Sequence, residues 1–233
     1  MPVLLTNDDG IDAPGLQALQ TVVAEPVIVV APRSAQSSCG HQITTTAPIA
    51  VEQRTENAHA VDGTPADCVR IALRHLAHGA ELVLSGINAG LNLGGDTFIS
   101  GTVAAAREAA FSGVPAIALS QYIVPGSPLD WEQSARLAKR VLEDLVPRPL
   151  NPGEFWNVNL PHVEQGGPEP EIVFCRSGAK PIEVRYRVED NRYSIAGVER
   201  AREREPGSDV EALFSGNIAV ALLTTSSDAT RAI

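Results

Sequence analysis

A chain of 233 residues can form one large α/β domain or two small ones. Its 44% hydrophobic share with only 4% aromatics predicts an aliphatic core of the kind that covers a parallel sheet. The formal charge of −10 argues against a nucleic acid polymer as partner, because such binders carry a basic face. A small anion stays open, since a bound cation or a helix N-terminus reverses the sign locally.

No apolar run reaches the roughly 18 residues of a membrane span, so no membrane partner is expected. No basic leader precedes the first strand. The three scattered cysteines, Cys39, Cys68 and Cys175, fit a reducing compartment, and the expected location is cytoplasmic.

Val3-Leu4-Leu5-Thr6 reads as a short buried strand that runs into Asn7-Asp8-Asp9-Gly10-Ile11. Two ionised acids packed side by side repel and raise one pKa, unless a cation or strong donors lie between them. A hard dication such as Mg²⁺ or Mn²⁺ is the simplest such partner. Successive strand side chains face opposite ways, so Asp8 and Asp9 can meet one ion only if the backbone leaves the strand, which Gly10 permits. The same residues also make an ordinary solvated turn. Asp12 is the expected cap of a helix opening at Ala13-Pro14-Gly15-Leu16.

Leu16, Leu19, Val22 and Val23 continue that helix, Pro26 closes it, and Val27 to Ala31 is a second strand. A crossover of this length makes the two strands parallel, as in a doubly wound sheet whose ligands collect beyond the strands' carboxyl ends. Residues 32–41 then form a loop of small hydroxyl residues and glycine, fit either to approach a phosphate or to lie on the surface. His41, at its end, is a candidate general acid or anion donor. Alternation over 42–62 predicts short extended pieces.

Thr64 caps a helix with Pro65 at its first position and Asp67 in its first turn, running to about His78. His75 and His78 lie three apart with no third ligand nearby and read as exposed. The third main strand, Leu82 to Ser85, opens into a Gly/Asn loop over 86–96. There Asn88 can offer a carbonyl oxygen to a cation and Asn92 an amide to a phosphate oxygen. Ser100-Gly101-Thr102 directly precedes the strong helix formers 103–110, so it is either a phosphate seat at a helix N-terminus or a plain Ser/Thr cap.

Ala116 to Ser120 is a buried strand, 130–146 an amphipathic helix with Leu137, Val141 and Leu145 inward, and 155–161 another strand. A Gly/Pro/Glu-rich stretch at 163–170 marks a boundary, and 171–200 alternate in a charged background as an exposed hairpin would. Ser208 to Leu213 reads as a helical turn and Ile218 to Leu223 as a closing strand. The division is a catalytic core over 1–162, an arm over 163–205 and a return to the core over 206–233.

Thr6 to Ile11, Ser37-Ser38-Cys39-Gly40-His41, Gly63-Thr64-Pro65-Ala66-Asp67-Cys68, Ser85-Gly86-Ile87-Asn88, Asn92-Leu93-Gly94, Ser100-Gly101-Thr102-Val103 and Asn157 to Pro161 together resemble the stationary-phase survival protein SurE family, metal-dependent 5′-nucleotidases. The match runs in order across nearly the whole chain. The resemblance implies a Rossmann-like, mostly parallel α/β sheet with a C-terminal hairpin used in oligomerisation. It implies hydrolysis of nucleoside 5′-monophosphates with one divalent cation per subunit, held by Asp8, Asp9, Ser37 and Asn88. Ser100, Gly101 and Thr102 would then line the phosphate seat, and the assembly would be a homodimer or homotetramer.

In the expected reaction the cation lowers the pKa of a water that attacks phosphorus. Attack by Asp8 or Asp9 is the other route, but Gly10 stands where the Asp-x-Asp pattern of aspartyl-phosphate enzymes has its second acid. A non-catalytic Mg²⁺-binding nucleotide sensor or a receiver-like signalling domain is the competing reading. Against it, the third strand ends in Ser85-Gly86 with no phospho-accepting Asp, and no lysine follows Ser120.

Overall fold

The computed structural model describes residues 2–24, 26–164, 166–180, 184–198 and 203–226. Strands β1 (Val3–Thr6), β2 (Val27–Pro32), β4 (Ala58–Val61), β5 (Leu82–Ala89), β6 (Ala116–Gln121) and β7 (Glu154–Leu160) run parallel in one sheet. Its nine strands are ordered β3-β4-β2-β1-β5-β6-β7-β11-β8, where β3 is Val51–Thr55, β8 is Ile172–Cys175 and β11 is Ile218–Thr224. The antiparallel pairs are β3 with β4 and β11 with β7. The chain steps from β1 to β2 on one side and later to β5 on the other, so the winding reverses at β1. The carboxyl ends of β1 and β5 therefore border the crevice where such sheets take their ligands.

Helices cover both faces, because the central strands are aliphatic on both sides. On one face α1 (Pro14–Gln20) and α5 (Trp131–Leu145) bury Leu16, Leu19, Leu137 and Val141 against Leu5, Leu84 and Ile117. On the other, α2 (Pro65–Ile71) and α4 (Gly101–Phe111) bury Val69, Val103 and Ala106 against Leu4, Val30 and Val83. Among the described residues no helix is long and apolar enough to cross a membrane.

Local chemistry sets most boundaries. The Thr64 hydroxyl accepts from the Asp67 amide while the Asp67 carboxylate accepts from the Thr64 amide, closing a capping box at the start of α2. A π-helical turn over Ala72–Leu76 follows. Asp12 does not cap α1: the N-cap is Ala13, without a side-chain bond, and Asp12 is exposed. Pro14 at the first position presets the helix, and Asp12 stands one residue too early to reach its amides.

The stretch after Ser85, expected as a loop, continues β5 to Ala89 with one extra residue against β6 between Ser85 and Asn88. Gly86, at φ +141°, allows this, since a Cβ there would lie 2.3 Å from the Leu119 carbonyl oxygen. Short helix α3 (Asp96–Ile99) then leads into α4.

At the C-terminal end, Ile172–Cys175, expected within the exposed hairpin, is instead the edge strand of the main sheet, parallel to β11. The separate antiparallel hairpin consists of β9 (Val184–Glu189) and β10 (Arg192–Val198). Helix α6 (Asp209–Phe214), capped by the Ser208 hydroxyl, returns the chain to β11. Residues 165, 181–183 and 199–202 of the expected arm, and 227–233 of the expected return, lie outside the described residues.

α1 rests directly on β5 because Gly15 has no side chain: a Cβ there would fall 2.0 Å from the Ile87 carbonyl oxygen and 2.8 Å from the Trp131 ring. Gly15→Ala is therefore expected to cost about 2 kcal/mol or more, read as a lower urea midpoint at unchanged slope.

Candidate metal and phosphate site

Asp8 and Asp9 stand just past β1, and Asn7 fixes their turn. The Asn7 amide donates to the Gly10 carbonyl at 2.8 Å and accepts from the Gly10 amide at 3.2 Å. Gly10 has φ +104°, so the backbone leaves the strand there as glycine allows. Asp8 is 5% exposed, and its Oδ1 accepts from the Thr102 hydroxyl in the first turn of α4. Asp9 is half-buried, and its Oδ2 accepts from the Ala89 amide at 3.1 Å, beside Asn88. The two acids of the first strand are thus tied to two elements distant in sequence.

The close approach of α4 depends on Gly101. A Cβ there would lie 2.7 Å from Asp8 Cβ, 3.0 Å from Asp8 Oδ2 and 2.9 Å from Cys39 Sγ. The 33–41 loop joins the same place: the Gln36 amide donates to the Asp8 carbonyl at 2.7 Å, and the Gly40 amide to the Ile99 carbonyl at 2.9 Å. Ser37, next to Gln36, is exposed on that loop. Ser100 caps α4, its hydroxyl accepting from the Val103 amide at 3.1 Å. Gly101 and Thr102 come before the first intrahelical bonds, so their amides mark the positive end of the helix dipole.

Burial raises the Asp8 carboxyl above its ordinary value, the Thr102 bond opposes that rise, and the charge of Asp9 adds to it. Among the described residues no group of three or more His, Cys, Asp or Glu is arranged to hold a metal. An ion here would have only two carboxylates and would complete its shell from neutral oxygens and water.

Two of the expected site residues have other partners. His41 Nε2 lies 2.8 Å from Glu108 Oε2, two turns along α4, and Arg70 Nε donates to Glu108 Oε1 at 2.6 Å. The Asn92 side chain donates to the Ser120 hydroxyl at 2.7 Å, and its backbone carbonyl accepts from Asn157 and Asn159. Sequence reading missed Cys39, Glu108 and this asparagine cluster. The cluster had a signal: Asn157 and Asn159 sit two apart in an otherwise apolar strand, so both face the same side. Glu108 and Arg70 carried none, because they meet 38 positions apart.

Asp8, Asp9 and the start of α4 fall together at the carboxyl edge of one sheet. A family model described as "Survival protein SurE" matches residues 3–183. The chain belongs to the SurE family. A relative from Nostoc sp. is 52% identical over 224 residues, spanning 96% of this chain and 99% of its own. A protein named 5′-nucleotidase SurE from Paramagnetospirillum magneticum is 40% identical over 228 residues, 94% of this chain and 87% of that one. The crystal structure of the SurE protein from Aquifex aeolicus superposes with a TM-score of 0.86 at 31% identity, covering 98% of this chain and 95% of that one. The SurE fold accounts for the mostly parallel sheet and the antiparallel hairpin.

Burial by itself would raise the Glu108 carboxyl, but the bonds from His41 and Arg70 outweigh it and hold the group below its ordinary value. Its stabilising effect is therefore present above the ordinary glutamate range and lost as pH falls through the lower folded value. Glu108→Gln is expected to cost about 1–3 kcal/mol at neutral pH. In thermal melts the gap between variant and wild type should close in acid, below that range.

Proposed function

We propose that this chain is a metal-dependent phosphomonoesterase that hydrolyses nucleoside 5′-monophosphates to nucleoside and phosphate. The observation that carries the reading is a buried carboxylate, Asp8, bonded to Thr102 in the first turn of α4 with a second acid, Asp9, beside it. The 5′-nucleotidase names of relatives such as the Paramagnetospirillum and Myxococcus xanthus proteins, 40% and 43% identical, support the substrate class.

The residues present fit a hard dication. Asp8, Asp9, Ser37 and Asn88 offer only oxygen donors besides the Asn88 amide nitrogen, and the rise of the Asp8 pKa is the strain that a nearby cation relieves. These four residues would hold one Mg²⁺ or Mn²⁺ per subunit. When bound, the cation neutralises charge on the phosphoryl oxygens and lowers the pKa of a water for attack on phosphorus.

The remaining work falls to the chain itself. The Gly101 amide and the Ser100 hydroxyl receive the phosphate dianion at the positive end of α4, with Thr102 lining the seat beside them. The Thr102 hydroxyl and its backbone amide both bond to Asp8 and keep that carboxylate aimed. The Ala89 amide fixes Asp9 in the same way. Gly10 leaves Asp8 without the second acid that an aspartyl-phosphate route uses, so water is the nucleophile.

The partner is a second copy of the chain, in a dimer or tetramer. The β9–β10 hairpin supports this: Tyr186 and Ile195 pair across it, as do Val188 and Tyr193, and these four side chains are all exposed.

With Mg²⁺ or Mn²⁺ the protein is expected to release phosphate from AMP and from p-nitrophenyl phosphate, and EDTA to stop both. Asp8→Asn should lower kcat/KM by more than about 100-fold, beyond the loss typical of residues that only orient a metal ligand. Binding of AMP without release would instead favour the sensor. Acid quenching during turnover should trap no phosphate on Asp8 or Asp9. Tyr193→Asp together with Ile195→Asp should reduce the mass seen by light scattering to that of one chain.

A further inference from the structure

The solvent side of α2 and α4 carries a cavity of ≈ 670 Å³ that the phosphate seat does not use. Its most buried lining residue is Glu108, 4% exposed and seven positions along α4 from Gly101, which at 1.5 Å per residue is about 10 Å. Two arginines four positions apart join it, Arg70 in α2 and Arg74 in the π-helical turn, and both are exposed. Arg70 gives its Nε to Glu108 and keeps its terminal nitrogens for another acceptor. Arg74 has no hydrogen bond or ion pair among the described residues. Ile43 and Phe111 supply an apolar surface, with the Phe111 ring 59% exposed at the end of α4 and 5.8 Å from the His41 ring.

Two guanidinium groups against one carboxylate leave a single positive charge in excess, on a chain whose formal charge is −10. That balance suits a monoanion better than a phosphate dianion, which Glu108 would repel more strongly. A guanidinium fork matches a carboxylate through two parallel bonds, and an exposed aromatic ring favours a flat apolar partner. The volume lies in the usual range for small-molecule pockets.

The cavity also adjoins the loop that carries Ser37. His41 and Ile43 line it from the end of that loop, whose Gly40 amide donates to the Ile99 carbonyl and whose Gln36 amide donates to the Asp8 carbonyl. A ligand lodged between those residues and the helices would hold the loop end still. Part of the ordering that a cation on Ser37 requires would then already be met.

We propose that this cavity is a regulatory site for a small aromatic carboxylate, separate from the substrate site, which tightens cation binding through the 33–41 loop. The ligand chemistry of the cavity is independent of the nucleotidase reading, and only the coupling rests on that reading's cation.

The test titrates the full chain with 2-naphthoate, followed by the probe's own fluorescence, and reads Mn²⁺ binding by electron paramagnetic resonance, which needs no turnover. Naphthoate should bind, and 2-naphthalenemethanol, the same ring without the acid, should bind about tenfold more weakly. Arg74→Gln should weaken naphthoate about tenfold and Phe111→Ala about fivefold. Both side chains are exposed and lie outside the substrate site, so Mn²⁺ affinity without naphthoate should match the wild type in each. With naphthoate the Mn²⁺ dissociation constant should fall about fivefold in the wild type, and much less in Arg74→Gln at the same naphthoate concentration. Naphthoate binding that is absent, or indifferent to both variants, overturns the site. So does competitive displacement of naphthoate by AMP, which would place the probe in the substrate site. Binding that responds to the variants but leaves Mn²⁺ affinity unmoved overturns the regulation. If naphthoate and Mn²⁺ bind as expected but no phosphate is ever released, only the phosphatase reading falls.

Discussion

The contact between Asp8 and the first turn of α4 is the constraint on which the site depends. Removing a carboxylate from water is costly unless hydrogen bonds and opposite charge compensate it. Here the Thr102 hydroxyl supplies the bond and the helix end a partial positive charge. Neither could act if Gly101 carried a side chain, because its Cβ would occupy the space between helix and acid. One glycine thus lets a helix N-terminus and a buried acid share a small volume.

A polar layer at the carboxyl edge holds the neighbouring loops in place. Asn92, Ser120, Asn157 and Asn159 bond to one another and fix the segment after β5 onto β6 and β7. Buried Asp209 accepts from the Gly94 amide at 2.9 Å and from the Gly178 amide at 2.8 Å, which ties the same segment to the chain after β8 and to α6. The C-terminal strands therefore act on the site indirectly, by anchoring the approach to α3 and α4. His41 belongs to a similar tie: with Arg70 and Glu108 it pins the end of the 33–41 loop to the flank of α4.

Elements with strong local signals were legible from residues alone. The Thr64 and Asp67 capping box, the aliphatic runs of β1, β2 and β6, and the apolar stripe of α5 each rest on contacts within a few positions. The elements that differ are governed by partners far away. β5 runs past Gly86 because Leu119 on the next strand accepts the close approach, and β8 lies in the sheet because β11, more than forty positions later, pairs with it. Asp12 looked like a cap by residue type, yet Pro14 set the helix start one position further on.

By itself, the sequence determined that two acids adjoin at a strand exit, that a glycine follows them, and that Ser-Gly-Thr opens a helix of small residues. These are covalent neighbours whose preferences need no other part of the chain. Only the tertiary structure decided which of the candidate groups converge. It brought Thr102 to Asp8 and Ala89 to Asp9, and it placed His41 on Glu108 and the Asn92 amide on Ser120. The physical reason is that a side-chain hydrogen bond between distant residues is fixed by how helices pack on the sheet, and that packing is set by the whole core at once.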